Sequence, residues 1–280
     1  MLKRILTALI GIPLLVPFVI FSDTWALPAL TAFFTAVAVF ELLRWTGMIK
    51  KIPVAAVSFA VALAAQILPR IVKGDRFFTV MLLAYLSYTV IVMTLAVFSK
   101  GSIKLTDVTQ TATMVIYVSF GFSALVLLRE LNAAYGIVLF LLAFLIPWVC
   151  DGAAYFVGVF FGKHKMIPDV SPKKTVEGAI GGIVGGVIIT AVFGIIMHFG
   201  FGKEPNYLLL LSIAFVGCLV SQWGDLIASL LKREYGVKDY GHLFPGHGGV
   251  MDRFDSLFAV NIFIYIVLRV FESYPLFLTW

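Results

Sequence analysis

Ser221, Asp225, Ser229 and Lys232 are separated by four, four and three residues, the spacing that puts side chains on one face of an α-helix. The segment that carries them, 207–230, is otherwise apolar. A carboxylate there is costly unless it is partnered, so Asp225 is a functional candidate. The two serines alone could do no more than hydrogen-bond a neighbouring helix. The chain then runs through KREYGVKDYGHLFPGHGGVMDRFDS, from Lys232 to Ser256. Lys232, Arg233, Lys238 and Arg253 supply positive charge, and His242 and His247 lie among them. Gly236, Gly241, Gly246, Gly248 and Gly249 allow tight turns and close backbone approach. Glycine-rich backbone beside cations cradles phosphate through its N–H groups and its charge. Asp252 and Asp255, three residues apart, point the same way at the start of the next helix. One acid there would merely complement the helix dipole. Two acids together with Asp225 form an oxygen-donor set suited to Mg²⁺, and converging carboxylates could hold a second metal nearby. The two histidines lack the cysteine or glutamate partners of a zinc site.

A second polar cluster lies upstream. Asp151 and Tyr155 are one helical turn apart, beside Gly152, Gly158 and Gly162. In the following SPKKTVEG, Ser171 reads as a helix N-cap with Pro172 at the first helical position. The free N–H groups of that turn, with Lys173 and Lys174, would make an anion site. Gly178, Gly182 and Gly186, with Gly181 and Gly185 alongside, have the spacing of close helix packing, within the subunit or between subunits. Glu41 is a further acid inside an apolar run, and intramembrane acids are functional candidates.

The elements that position these groups are membrane helices. Of 280 residues, 61% are hydrophobic and 13% charged, with a mean hydropathy of +1.03. Soluble domains run at roughly 45–50% apolar and about 25% charged. Apolar segments of bilayer-spanning length lie near 5–22, 25–45, 54–72, 77–98, 110–129, 135–160, 176–199, 207–230 and 253–271. The sequence therefore predicts an all-α, polytopic membrane bundle of about nine helices. Placing the N-terminus in the cytoplasm puts 15 of the 21 Lys and Arg residues on that side and 6 on the other. The same orientation places loops 161–175 and 231–252 on the cytoplasmic face. Two regions are expected: helices 1–134 as scaffold and lipid access, and helices 135–280 with the catalytic loops. Cys150 and Cys218 fall in apolar runs and read as buried thiols. The net charge of +6 reflects topology and anionic headgroups. Nucleic-acid binding is discarded, because the phenylalanines sit in the spans and not on a basic surface.

From Ser229 through Lys232-Arg233, Lys238-Asp239, Gly241 and Phe244-Pro245-Gly246-His247-Gly248-Gly249 to Met251-Asp252-Arg253-Phe254-Asp255, the chain resembles the signature of the phosphatidate cytidylyltransferases, or CDP-diacylglycerol synthases. Asp151-Gly152, Tyr155 and Ser171-Pro172-Lys173-Lys174-Thr175-x-Glu177-Gly178 extend the likeness, which covers about 141–256. The resemblance implies a bacterial-type enzyme of the cytoplasmic membrane. It would join CTP to phosphatidic acid, release pyrophosphate and yield CDP-diacylglycerol, with a need for Mg²⁺ and a homodimeric state.

On that reading Asp225, Asp252, Asp255 and Asp151 are the metal ligands. Lys232, Arg233, Lys238, Arg253, Ser171, Lys173 and Lys174 hold phosphate. Ser221, Ser229, Asp239, Tyr155, Gly246, Gly248 and Gly249 complete the substrate site, and His247 meets phosphate or metal-bound water. A transporter or flippase is the rival of another class, though polarity matched between two halves is missing. Cytidylyl transfer to another lipid phosphate is the nearer alternative.

Overall fold

The computed structural model describes residues 19–72, 75–132, 135–244, 246, 248–271 and 276. Eight α-helices carry the described chain: α1 Ala26–Trp45, α2 Ile52–Ile71, α3 Asp75–Phe98, α4 Leu105–Glu130, α5 Gly136–Phe161, α6 Val176–Phe201, α7 Tyr207–Glu234 and α8 Met251–Val270. They correspond to the second to ninth expected spans; the first, 5–22, falls almost wholly outside the described residues. Seven of them, α1 to α7, are long and apolar enough to cross a bilayer. The protein is a polytopic helical membrane protein. α8 also has spanning length, but Asp252, Arg253 and Asp255 make its start too polar for that criterion.

The chain folds as two units. The first comprises the residues up to Glu130 together with Tyr235–Phe254, so the glycine-rich loop belongs with the N-terminal helices. Within it α4 is the most enclosed helix and packs on α1, α2 and α3. Phe34, Phe122 and Phe254 cluster at ring separations of 5.1–6.4 Å, which ties the end of the glycine-rich segment into an apolar core. Several polar groups inside this unit are paired across helices, the arrangement a bilayer favours. Gln66 Nε2 donates to the Ser119 carbonyl at 2.9 Å, and the hydroxyls of Ser58 and Tyr88 meet at 2.8 Å. Arg70 bridges Glu130 at 2.9 Å and donates to the carbonyls of Ser22 and Asp23.

The second unit comprises Leu131–Glu234 and Asp255 onward. Its dominant contact is α5 on α6, with α7 against both. The glycine repeat of α6 explains this, and it acts within the subunit. A Cβ at Gly178 would come within 2.8 Å of the Ala154 carbonyl, and one at Gly182 within 2.8 Å of the Cys150 carbonyl. Gly181 and Gly185 face Val157 and Ala153 in the same way. Because the clash at Gly182 is with backbone, Gly182→Leu is expected to lower stability by about 1–3 kcal/mol or more. An unchanged thermal midpoint in detergent would refute this packing role. Cys150 and Cys218 are free and buried in this unit.

The connection between α5 and α6 differs from the expected helix start. Lys165–Ile167 (β1) and Ser171–Thr175 (β2) form a two-stranded antiparallel hairpin. Ser171 is therefore a strand residue and not the N-cap. The cap is Thr175, whose Oγ1 accepts the Gly178 N–H at 3.1 Å. The hairpin is pinned by Glu177, whose carboxylate accepts the N–H groups of Lys163 and His164 and pairs with His164 Nδ1 at 2.6 Å. An anion site on free amides of a Ser171-capped turn is thus replaced by a hairpin that presents lysines.

Candidate active site

In the second unit the polar stripe of α7 meets the hairpin. Lys173 and Lys174 are neighbours on a strand, so their side chains leave opposite faces. Lys174 turns inward: its Nζ lies 2.8 Å from Asp225 Oδ2 and 3.3 Å from the Gln222 carbonyl. Lys173 stays exposed, and Ser171 is half-buried. Ser229, one turn on from Asp225, donates its hydroxyl to Asp225 Oδ1 at 3.2 Å. At the end of α7, Arg233 Nε donates to the Val170 carbonyl in the hairpin turn at 3.2 Å. Ser221 is fully buried, and Gln222 beside it donates to the Ala179 carbonyl of α6 at 3.0 Å.

Asp151 of α5 and Asp255 of α8 lie within electrostatic range of Asp225 and of each other. Ser256 Oγ donates to Asp151 Oδ2 at 2.9 Å, and Lys232 is close enough to Asp255 to offset its charge. The close approach of α7 and α8 in this unit needs Gly224, where a Cβ would sit 2.9 Å from the Asp255 carbonyl. The unit thus gathers three carboxylates with Lys174 and Lys232 among them. Tyr155, expected beside Asp151, is exposed and packs its ring against Phe156.

In the first unit the glycine-rich segment closes around two other carboxylates. Asp252 Oδ2 accepts the N–H groups of Tyr240 at 2.7 Å and Gly249 at 3.0 Å. Glu41 of α1 accepts the N–H groups of Val250 and Met251, both at 3.0 Å. Gly248 has φ +84° and lies against Asp252, while a Cβ at Gly241 or Gly249 would meet Glu41 Oε1. Here the glycines bring backbone onto carboxylate. Phe244 N–H donates to the Gly248 carbonyl at 2.9 Å, folding the middle of the loop into a bridge. Lys238 and Arg253 are exposed, Asp239 is half-buried and Gly246 is exposed with φ +77°. His247 lies outside the described residues.

A family model described as the cytidylyltransferase family matches residues 2–271. The chain belongs to that family. It is 35% identical over 265 residues to the phosphatidate cytidylyltransferase of Staphylococcus haemolyticus, covering 95% of this chain and 98% of that relative. The Staphylococcus aureus protein of the same name is 34% identical over the same shares. That of Bacillus subtilis is 38% identical over 195 residues, 70% of this chain and 67% of its own. The likeness reported from the signature is therefore membership over almost the whole chain, including the first five spans, for which the signature carried nothing.

Within this cytidylyltransferase, sequence reasoning missed Ser256, which donates to Asp151, and Gln222, whose side chain ties α7 to α6 and whose carbonyl accepts Lys174. Gln222 sits one position off the Ser221–Asp225–Ser229 stripe, and Ser256 directly follows the last acid. Neither had a signal of its own. Glu41 did have one, a charge inside an apolar run, but nothing in the sequence tied it to a loop 209 residues away.

Proposed function

We propose that this chain transfers the cytidylyl group of CTP to phosphatidic acid, giving CDP-diacylglycerol and pyrophosphate at the cytoplasmic face of the cell membrane. The observation that carries this reading is the match across nearly its whole length to relatives named phosphatidate cytidylyltransferase. A non-bridging oxygen of the lipid phosphate attacks the α-phosphorus of CTP. As that P–O bond forms, the bond from the α-phosphorus to the oxygen bridging to the β-phosphorus breaks, and pyrophosphate leaves with the electron pair. Phosphatidate is already anionic at neutral pH, so no side-chain nucleophile is needed. The chain positions the reactants and neutralises charge.

The acids of the second unit suit a hard divalent cation, since Asp151, Asp225 and Asp255 are all oxygen donors. Among the described residues no three His, Cys, Asp or Glu side chains come together as a metal site by themselves. Mg²⁺ is usually held by one or two carboxylates, with water and substrate phosphate filling its shell, so an open acidic cluster fits it. Bound there, Mg²⁺ would neutralise the triphosphate. Asp225 and Asp255 are its ligands in this reading, with Asp151 contributing. In the first unit Asp252 organises its loop and is assigned a metal-binding role of its own, and a second cation is part of the same proposal. Lys174 and Lys232, already among the acids, exchange carboxylate for phosphate when the nucleotide arrives. Ser171, Lys173, Arg233, Lys238 and Arg253 add to the phosphate-binding charge, and His247 meets phosphate or metal-bound water. A homodimer completes the proposal.

The decisive experiment is turnover by the purified protein in liposomes containing phosphatidate, with CTP and Mg²⁺. CDP-diacylglycerol and pyrophosphate are expected in equal amounts, and competing ether-lipid or polyprenyl phosphates should give less product. Absence of any cytidylyl-lipid product would reject the reading. Sidedness has its own test. With Cys150 and Cys218 buried, a Lys238→Cys variant should react with an impermeant maleimide in inside-out vesicles and stay unlabelled in right-side-out ones. The reverse pattern would put the loop away from cytosolic CTP.

A further inference from the structure

Glu41 is 4% exposed in a helix of spanning length, where a carboxylate persists only if its surroundings compensate for lost water. The compensation comes from backbone. Oε1 accepts Val250 N–H and Oε2 accepts Met251 N–H, so one carboxylate takes two amides at the N-terminus of α8. Those are orphan donors of a helix start, and the dipole there favours negative charge. One turn along α1, Trp45 donates its indole N–H to the Tyr240 carbonyl. The Glu41–Trp45 face of α1 therefore holds both ends of segment 240–251. Gly241 and Gly249 are required on each side of the carboxylate, because a Cβ at either would overlap Glu41 Oε1. Between these anchors His242, Leu243 and Gly246 are exposed, and Gly246 and Gly248 adopt positive φ.

We infer that Glu41 is a positioning residue for nucleoside triphosphate binding, acting through the glycine-rich loop whose two ends it and its helix fix. The inference rests on the proposed role of that loop in holding the phosphates of CTP. It has a specific corollary. The first amides of α8 are occupied by a carboxylate, so phosphate is received by the exposed His242 and Gly246 with the flanking cations Lys238 and Arg253, and not by the start of the helix. Glu41 touches no substrate. Its loss would alter the shape presented to the nucleotide while leaving the lipid acceptor's affinity in place.

The test is E41Q, nearly isosteric but uncharged, and E41D, charged but shorter, in phosphatidate liposomes with each substrate varied in turn. For E41Q the KM for CTP is expected to rise roughly ten-fold or more, with the KM for phosphatidate within about two-fold of wild type. E41D should recover part of the CTP affinity. The CTP-induced rise in thermal midpoint should shrink in E41Q in parallel. A fall in kcat that merely tracks the amount of folded protein, at unchanged KM for CTP, would overturn the inference. If E41Q does not accumulate, E41D carries the test alone, and an unchanged KM for CTP in it is equally adverse. Failure of the wild-type protein to make CDP-diacylglycerol would instead condemn the proposed reaction. The thermal response to CTP in wild type and variant would then still judge Glu41 by itself.

Discussion

Asp225→Asn is expected to lower CDP-diacylglycerol formation on the order of 10³-fold while the protein still accumulates in the membrane, the scale of losing a central electrostatic contact at a reacting phosphate. The geometry makes this more than the loss of one ion pair. Asp225 accepts Ser229 on one oxygen and Lys174 on the other, and it faces Asp151 and Asp255. Asparagine preserves shape and can still accept from Ser229, so the fold should survive. What disappears is the negative charge that balances Lys174 and, in the proposed reaction, binds Mg²⁺. Raising the Mg²⁺ concentration should restore little. A double-mutant comparison separates this from a structural role. If the Lys174–Asp225 pair only supported the fold, removing both partners would be milder than leaving one charge buried alone. The catalytic reading expects the Lys174→Met/Asp225→Asn protein to be at least as inactive as Asp225→Asn. Near-wild-type turnover in Asp225→Asn, or recovery in the double variant, would remove Asp225 from the site. Ser229→Ala, which deletes only a hydroxyl donor, should cost less than about ten-fold.

The spans were legible because bilayer helices announce themselves by length and hydropathy, and α6 begins at Val176 where hydropathy placed it. The stripe of α7 was legible for a similar reason, since helical periodicity fixes which residues share a face. The hairpin was not. Ser-Pro followed by lysines satisfies a helix-start pattern, yet the pairing of Ser171–Thr175 with Lys165–Ile167 depends on a turn that carries no strong strand signature. The consequence is chemical, because strand geometry sends Lys174 to Asp225 and leaves Lys173 outside. By residue type and neighbouring charge the glycines of 236–249 suit a phosphate cradle. Gly241 and Gly249 turn out to press backbone against Glu41, a long-range contact that no local pattern encodes. Local chemistry could be read from residue types; which carboxylate each glycine faces needed the tertiary structure.

Asp252→Asn is the second variant expected to abolish product formation, and its loss should exceed what loop disturbance alone would give. Asp252 Oδ2 holds Tyr240 and Gly249 amides through charge-assisted bonds. Asparagine keeps a carbonyl that can accept from these donors, so the loop would be weakened and not released. Because a neutral acceptor remains, each bond loses only the excess of a charged over a neutral hydrogen bond, about 1 kcal/mol, so the two together set the loop component at roughly 10–10² in CTP affinity. Removing a metal-ligand charge acts on turnover as well. The expected result is therefore loss of at least about 10³-fold at saturating CTP, accompanied by a raised Mg²⁺ requirement in any residual activity. Gly248→Ala, whose Cβ would strike Asp252 at positive φ without altering any charge, provides the loop-only comparison. It should raise the KM for CTP and leave the Mg²⁺ requirement unchanged. If Asp252→Asn matches Gly248→Ala in both respects, Asp252 organises the loop and binds no metal. If it retains near-wild-type turnover, neither role stands.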